Sequence, residues 1–246
     1  MAGHIHLAID GPVARVSLDH GGKFNAMSRS MWKTLQTIFL ELQTKAAVRC
    51  VVVQGAAGHF CAGGDISEYP SFRFDEAQLQ QFHEQEVWGA LQAMLDCDVP
   101  ILAQIEGNCM GAGVEIASCC DLRIAKDSSR FGAPIARLGF PMAPKEAALV
   151  SKAVGETTAR AMLLAAEVFD AAHMQNCGFL THCIEGEAWQ AYCEAMVKRV
   201  VQLGPQSARL NKQTLRSLPL SPYSYANSAE HREGIDAFLQ KRNPLF

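Results

Sequence analysis

Two apolar runs, each ending at a glycine and each followed by a turn built almost entirely of small residues, constrain this chain more than any other feature. The first is Cys50-Val51-Val52-Val53, closing at Gly55 and leading to His59-Phe60-Cys61-Ala62-Gly63-Gly64-Asp65-Ile66. The second runs from Pro100 to Ile105, closes at Gly107 and leads to Asn108-Cys109-Met110-Gly111-Ala112-Gly113-Val114-Glu115. Runs without apolar–polar alternation read as strands buried on both faces, which places them inside a sheet covered by helices. Small residues at the strand ends leave backbone amides exposed. Where a helix follows, those N–H groups have no intrahelical acceptor, and they suit a developing negative oxygen.

The surrounding pattern fits an α/β architecture. Residues 4–9 and 13–18 flank Asp10-Gly11-Pro12 and predict a hairpin. Met31, Leu35, Ile38, Phe39 and Leu42 recur at helical spacing behind Ser28, a good N-cap, and predict a helix over 29–45. Leu122 to Ala125 reads as a further strand, segment 66–96 as polar and then helical from about Glu76, and segment 111–120 as a short helix. Beyond Pro144 the chain reads as mostly helical, over 145–154, 157–166, 171–177 and 187–203, with breaks at Gly155, Gly178 and Gly204-Pro205.

Composition narrows the function. Across 246 residues, a net charge of −3 provides no basic field for nucleic acid, and apolar runs such as Ala161 to Ala166 fall well short of the roughly 20 residues of a membrane-spanning helix. No secretory signal is visible at the N-terminus. The nine cysteines form no C-x-x-C pair and read as reduced, buried thiols of a cytoplasmic protein, and the eight histidines show no metal-ligand spacing. No metal site is expected. The spacing of Gly107, Gly111 and Gly113 does not fit a dinucleotide turn, and no phosphate-binding G-K-S or G-K-T occurs. By themselves, the two turns fit either an oxyanion site or turn geometry alone.

The stretch F-C-A-G-G-D-I-S from Phe60, followed by I-E-G-N-C-M-G-A-G-V-E-I-A-S-C-C-D from Ile105, resembles the enoyl-CoA hydratase/isomerase (crotonase) family. L-D-H-G-G-K-F-N-A-M-S near the start, R-F-G-A-P-I-A-R-L-G-F-P after Asp121, and K-A-V-G-E-T-T-A-R-A-M-L-L extend the likeness over nearly the whole chain. The resemblance implies a spiral of ββα units over residues 1–190 carrying the CoA-ester site, and a helical C-terminal trimerisation region over 191–246. It implies an acyl-CoA substrate, a homotrimer or dimer of trimers, a place in fatty acid metabolism, and no separate cofactor, because coenzyme A arrives within the thioester.

Carried over by position, the family's oxyanion amides fall on Gly64 and Ala112, and one of its catalytic glutamates on Glu115. Lys23, Phe24, Ala26, Ala62, Asp65 and Ile66 match the positions lining the nucleotide end of coenzyme A. Independently of the family, Glu115 sits among Gly113, Val114, Ile116 and Ala117, surroundings that would raise a carboxyl pKa toward a value useful for proton transfer. The chain departs from the family after Pro134, where Ile135 stands in place of the second catalytic glutamate.

Three readings therefore stay open: hydratase, isomerase, and a non-catalytic acyl-CoA-binding homologue. Other reactions of the fold, such as decarboxylation or dehalogenation, also remain. Glu146 reads as a first-turn glutamate favouring its helix dipole ahead of a replacement acid, and His83 as structural ahead of a proton carrier. Tyr69, Phe72, Phe82, His83 and Trp88 offer aromatic surface for an acyl pocket. A serine hydrolase is disfavoured because Ser67 and Ser118 have no evident base.

Overall fold

The computed structural model describes residues 2–217, 221 and 223–246. The chain opens with the expected hairpin, β1 (His4–Asp10) and β2 (Val13–Asp19), paired antiparallel around Gly11, whose φ of 53° needs a residue without a Cβ. The helix α1 (Arg29–Thr44) begins where Ser28 accepts a hydrogen bond from the Met31 amide. It buries Met31, Trp32, Leu35, Ile38, Phe39 and Leu42 along one face.

Three parallel strands then join β2: β3 (Cys50–Gly55), β4 (Ile101–Ile105) and, after the intervening elements, β6 (Leu122–Lys126). With β9 (His182–Ile184) they form a six-stranded sheet in the order β1-β2-β3-β4-β6-β9. Successive side chains of β3 point to opposite faces, and both faces are covered, which is why its sequence does not alternate. Val51 and Val53 enter the main core with Trp32, Leu35 and Phe39 of α1. Cys50 and Val52 face the other way, onto Trp189, Cys193, Met196 and Val197 of α8 (Trp189–Val201).

A second sheet has no counterpart in the sequence reading. It consists of β5 (Asn108–Met110), β7 (Arg130–Gly132) and β8 (Val168–Asp170), with β5 and β7 parallel and β8 antiparallel. An isolated parallel bridge between Cys61 and Cys109 ties the first glycine-rich turn to this sheet. The helix α4 (Ala112–Ser118) leaves β5 directly.

Segment 66–96 is helical in three forms on either side of a turn at 72–75: a 3₁₀ stretch (Ile66–Ser71), then α2 (Glu76–Gln81), a π-helical stretch (Phe82–Val87) and α3 (Trp88–Asp96). A 3₁₀ turn (Pro134–Leu138) leads to α5 (Pro144–Val154), α6 (Glu156–Leu164) and α7 (Ala171–Asn176). After α8 come α9 (Pro205–Leu215) and α10 (Ala229–Leu239). No helix among the described residues is long and apolar enough to cross a membrane.

Candidate active site

The bridge between Cys61 and Cys109 brings the two glycine-rich turns into contact. The Cys61 amide donates to the Asn108 carbonyl at 2.9 Å, and the Met110 amide returns a bond to the Cys61 carbonyl at 2.8 Å. Gly63 (φ 112°) and Gly111 (φ 47°) take conformations that favour glycine, and a Cβ on Gly111 would lie 3.5 Å from the Gly63 Cα. At Gly64 a Cβ would collide with the Tyr69 hydroxyl.

Most amides around these turns are occupied. Ala62 donates to the Phe24 carbonyl at 3.0 Å, Asp65 to Met27 at 2.8 Å, and Gly111 to Gly132 at 2.8 Å. The N–H groups of Gly64 and Ala112 are exceptions, with no acceptor among the described residues. Ala112 is the first residue of α4, where an N–H has no intrahelical partner. Both residues line a cavity of about 320 Å³ whose other walls include Trp32, Ala62, Ile66, Tyr69, Phe82, Met110, Ile135 and Phe140.

Glu115 lies in the first turn of α4 and faces this cavity. Two effects compete there. The helix N-terminus favours the anion, whereas removal from water favours the neutral acid. Burial wins, aided by the negative charge of Glu146, and the Glu115 carboxyl is pushed up to about 8. Burial therefore favours the neutral acid at Glu115.

The remaining predicted positions separate into two groups. Ala62 and Ile66 line the cavity with Gly64, Ala112 and Glu115. Lys23, Phe24, Ala26 and Asp65 lie outside its wall. The Lys23 ammonium donates to both Asp65 oxygens, at 2.7 and 2.9 Å, and to the Ser67 hydroxyl at 2.7 Å. Burial by itself would raise the Asp65 carboxyl, but the hydrogen bonds from Lys23 and Ser67 outweigh it and leave Asp65 below the usual carboxylate range. Phe24 is exposed, with its ring edge against His59, and Ala26 is buried beneath the loop.

Some nucleophiles can be set aside. Burial pushes the Cys61 thiol up to about 12, which suppresses the thiolate. The Ser118 hydroxyl donates to the Val114 carbonyl at 2.7 Å, and Ser67 donates to Asp65, so neither is bonded to a histidine.

Among the wall residues that sequence reasoning did not assign to the site are Trp32, Phe140 and Arg73. Trp32 reaches the cavity from α1, Phe140 from the turn before α5, and Arg73 from the loop after the 3₁₀ stretch. The Arg73 guanidinium lies over the Phe140 ring at 3.8 Å and the Tyr69 ring at 4.6 Å. Tyr69, Arg73, His83 and Phe140 also line an adjoining, more open space of about 750 Å³, so they separate the inner cavity from the outer one. Of the aromatic residues expected around an acyl pocket, Tyr69, Phe82 and His83 line the inner cavity, while Phe72 is buried against Phe82.

The fold and these turns define a ββα-spiral protein of the crotonase type. A crystal structure of an enoyl-CoA hydratase/carnithine racemase from Magnetospirillum magneticum superposes with a TM-score of 0.93 at 29% identity, covering 98% of this chain and 94% of that one. A probable mitochondrial enoyl-CoA hydratase 2 of Arabidopsis thaliana is 27% identical over 96% of this chain and 82% of its own length. The 2,3-dehydroadipyl-CoA hydratase of Escherichia coli is 26% identical over 95% of this chain and 94% of its own. The sequence pattern of the enoyl-CoA hydratase/isomerase family matches residues 8–246, and the chain belongs to that family.

Proposed function

We propose that this protein is an acyl-CoA enzyme of the hydratase/isomerase type: it holds the thioester carbonyl between the Gly64 and Ala112 amides, stabilises the enolate that forms there, and uses Glu115 to move a proton at the substrate carbon chain. The observation that carries this reading is the convergence, in one largely apolar cavity, of two backbone N–H groups without an acceptor among the described residues and a carboxyl that burial pushes up to about 8. Donors aimed at an oxyanion in a site shielded from water contribute about 3–4 kcal/mol each to the transition state. A proton donor of matched pKa adds roughly 10²–10⁴-fold.

In this reading Lys23, Phe24, Ala26, Ala62, Asp65 and Ile66 border the path taken by coenzyme A. The Lys23–Asp65 pair holds the first glycine-rich turn against the loop before α1. Coenzyme A is part of the substrate and no separate cofactor is called for. Assembly as a trimer or a dimer of trimers in the cytoplasm belongs to the same reading, supported by the exposed Ile235, Phe238 and Leu239 of α10.

Ile135 favours a second possibility. It lines the cavity where the family resemblance implies a second glutamate, and one carboxyl alone suits a double-bond shift better than hydration. The test is α-proton exchange of butyryl-CoA in deuterium oxide, followed by mass spectrometry, together with conversion of 2-enoyl- and 3-enoyl-CoA esters in water labelled with heavy oxygen. Glu115→Gln is expected to abolish exchange and conversion while CoA-ester binding stays near wild type. Exchange that continues undiminished in that variant would remove Glu115 from the mechanism.

A further inference from the structure

The cavity contains a second group equipped to move protons. His83 lies in the π-helical stretch between α2 and α3, and it lines the same wall system as Tyr69 and Arg73. Insertions of this kind displace a residue from the α-helical register and recur at functional sites. The His83 Nδ1 lies 3.1 Å from the Oε1 of Glu146, 63 residues away in the first turn of α5. Its Nε2 lies 3.4 Å from the Arg73 guanidinium.

A guanidinium can only donate, so the contact with Arg73 favours the tautomer in which Nε2 is bare and Nδ1 donates to Glu146. In that tautomer the Nε2 lone pair faces Arg73 at the cavity wall and the Nδ1–H is held by Glu146. Glu146 is 2% exposed, and its second oxygen, Oε2, has no partner among the described residues. A buried carboxylate left half satisfied costs stability, and such groups persist where they orient a functional neighbour.

We propose that His83 is the general base that activates water for addition to an enoyl-CoA, taking over the task for which Ile135 offers no carboxylate, with Glu146 as the residue that positions its ring. This rests on the enolate reading of the Gly64, Ala112 and Glu115 site. In the forward step, His83 Nε2 takes a proton from water as the oxygen bonds to the β-carbon. The double-bond pair shifts to give the enolate held by the two amides. The enolate then collapses as Glu115 delivers its proton to the α-carbon and the carbonyl re-forms. Water has added across the double bond, leaving an imidazolium and a Glu115 carboxylate, and the imidazolium proton returns through solvent to Glu115. A base at His83 and an acid at Glu115 divide the two proton transfers that hydration requires. The contact with Arg73 is long for a hydrogen bond, so a water displaces it at small cost.

The experiment compares wild type with His83→Gln, Glu146→Gln and Glu115→Gln, measuring hydration of crotonyl-CoA with heavy-oxygen incorporation and α-deuterium exchange of butyryl-CoA on the same samples. His83→Gln is expected to lower the hydration kcat by about 100-fold or more, and Glu146→Gln by about tenfold or more with KM little changed. In both, the ratio of exchange to hydration rises at least about tenfold, which a general loss of folded protein cannot produce. Glu115→Gln loses both reactions. Hydration by His83→Gln near the wild-type rate overturns the proposal, as does a parallel loss of exchange and hydration. A wild type that exchanges without hydrating also overturns it while leaving the enolate reading intact. A wild type that does neither defeats the enolate reading itself.

Discussion

Replacing Glu115 by Gln should make the protein more stable, increasingly so as the pH rises. The carboxyl stands at about 8 in the folded state against an ordinary 4.5, with burial as the first cause and the Glu146 charge as the second. Between those two values the folded state binds more protons at this position than the unfolded chain, so stability falls as pH rises through the window. At 1.36 kcal/mol per pH unit, the full rise corresponds to roughly 5 kcal/mol, and relaxation with water entry from the cavity reduces the expected loss to about 2–5 kcal/mol by pH 9.

Glutamine keeps the shape and cannot ionise. The two proteins should therefore have similar stability near pH 5 and diverge steadily to pH 9, where the variant leads by that amount. In a chain of this size the lead corresponds to about 2–4 °C in Tm per kcal/mol. Urea unfolding of both proteins at pH 5, 6, 7, 8 and 9 is the assay. Every other titrating group is common to the pair and cancels in the difference. Parallel stability curves would show that Glu115 is solvated and ordinary, and would refute both the raised carboxyl and the acid role assigned to it.

Other perturbations test the scaffold. A Cβ on Gly113 would lie 2.7 Å from the Cys61 carbonyl and 3.0 Å from the Cys61 Cβ, so Gly113→Ala should cost about 1–3 kcal/mol in denaturant titration and depress turnover by displacing α4. The buried Lys212 on α9 donates to the Val99 carbonyl at 3.0 Å and pairs with Asp121 at 2.7 Å. Lys212→Met should therefore lower stability by about 1–3 kcal/mol by urea unfolding, with kcat unchanged. Lys23→Met breaks the contacts to Asp65 and Ser67 and is expected to raise KM for CoA esters several-fold, with little change in kcat in steady-state assays.

Much of the main sheet was legible because its signals are local. The continuous apolar runs of β3 and β4 announced burial on both faces, and the 3.6-residue spacing behind Ser28 announced α1 to within a residue at its end. The second sheet was not legible, because β5, β7 and β8 have three residues each, too few for any period to show. Segment 66–96 read as helical from Glu76, but nothing in its composition marked the π-helical stretch that carries His83.

The candidate site divides along the same line. Glycine at 63, 64, 111 and 113, with a carboxyl at 115, could be read directly, since backbone exposure and an apolar setting are properties of neighbouring residues. His83 and Glu146, read separately, looked structural, Phe140 entered only as part of a family-like stretch, and no local pattern marked Arg73. The sequence by itself determined the opening hairpin, α1, the long strands of the main sheet and the two amide-rich turns, because steric freedom and hydrophobic period act over a few residues. Only the tertiary structure decided that the turns touch through Cys61 and Cys109, that burial outweighs the helix terminus at Glu115, and that a histidine and a glutamate 63 residues apart share one hydrogen bond. Those outcomes depend on distances and desolvation between segments remote in the chain, which no local pattern encodes.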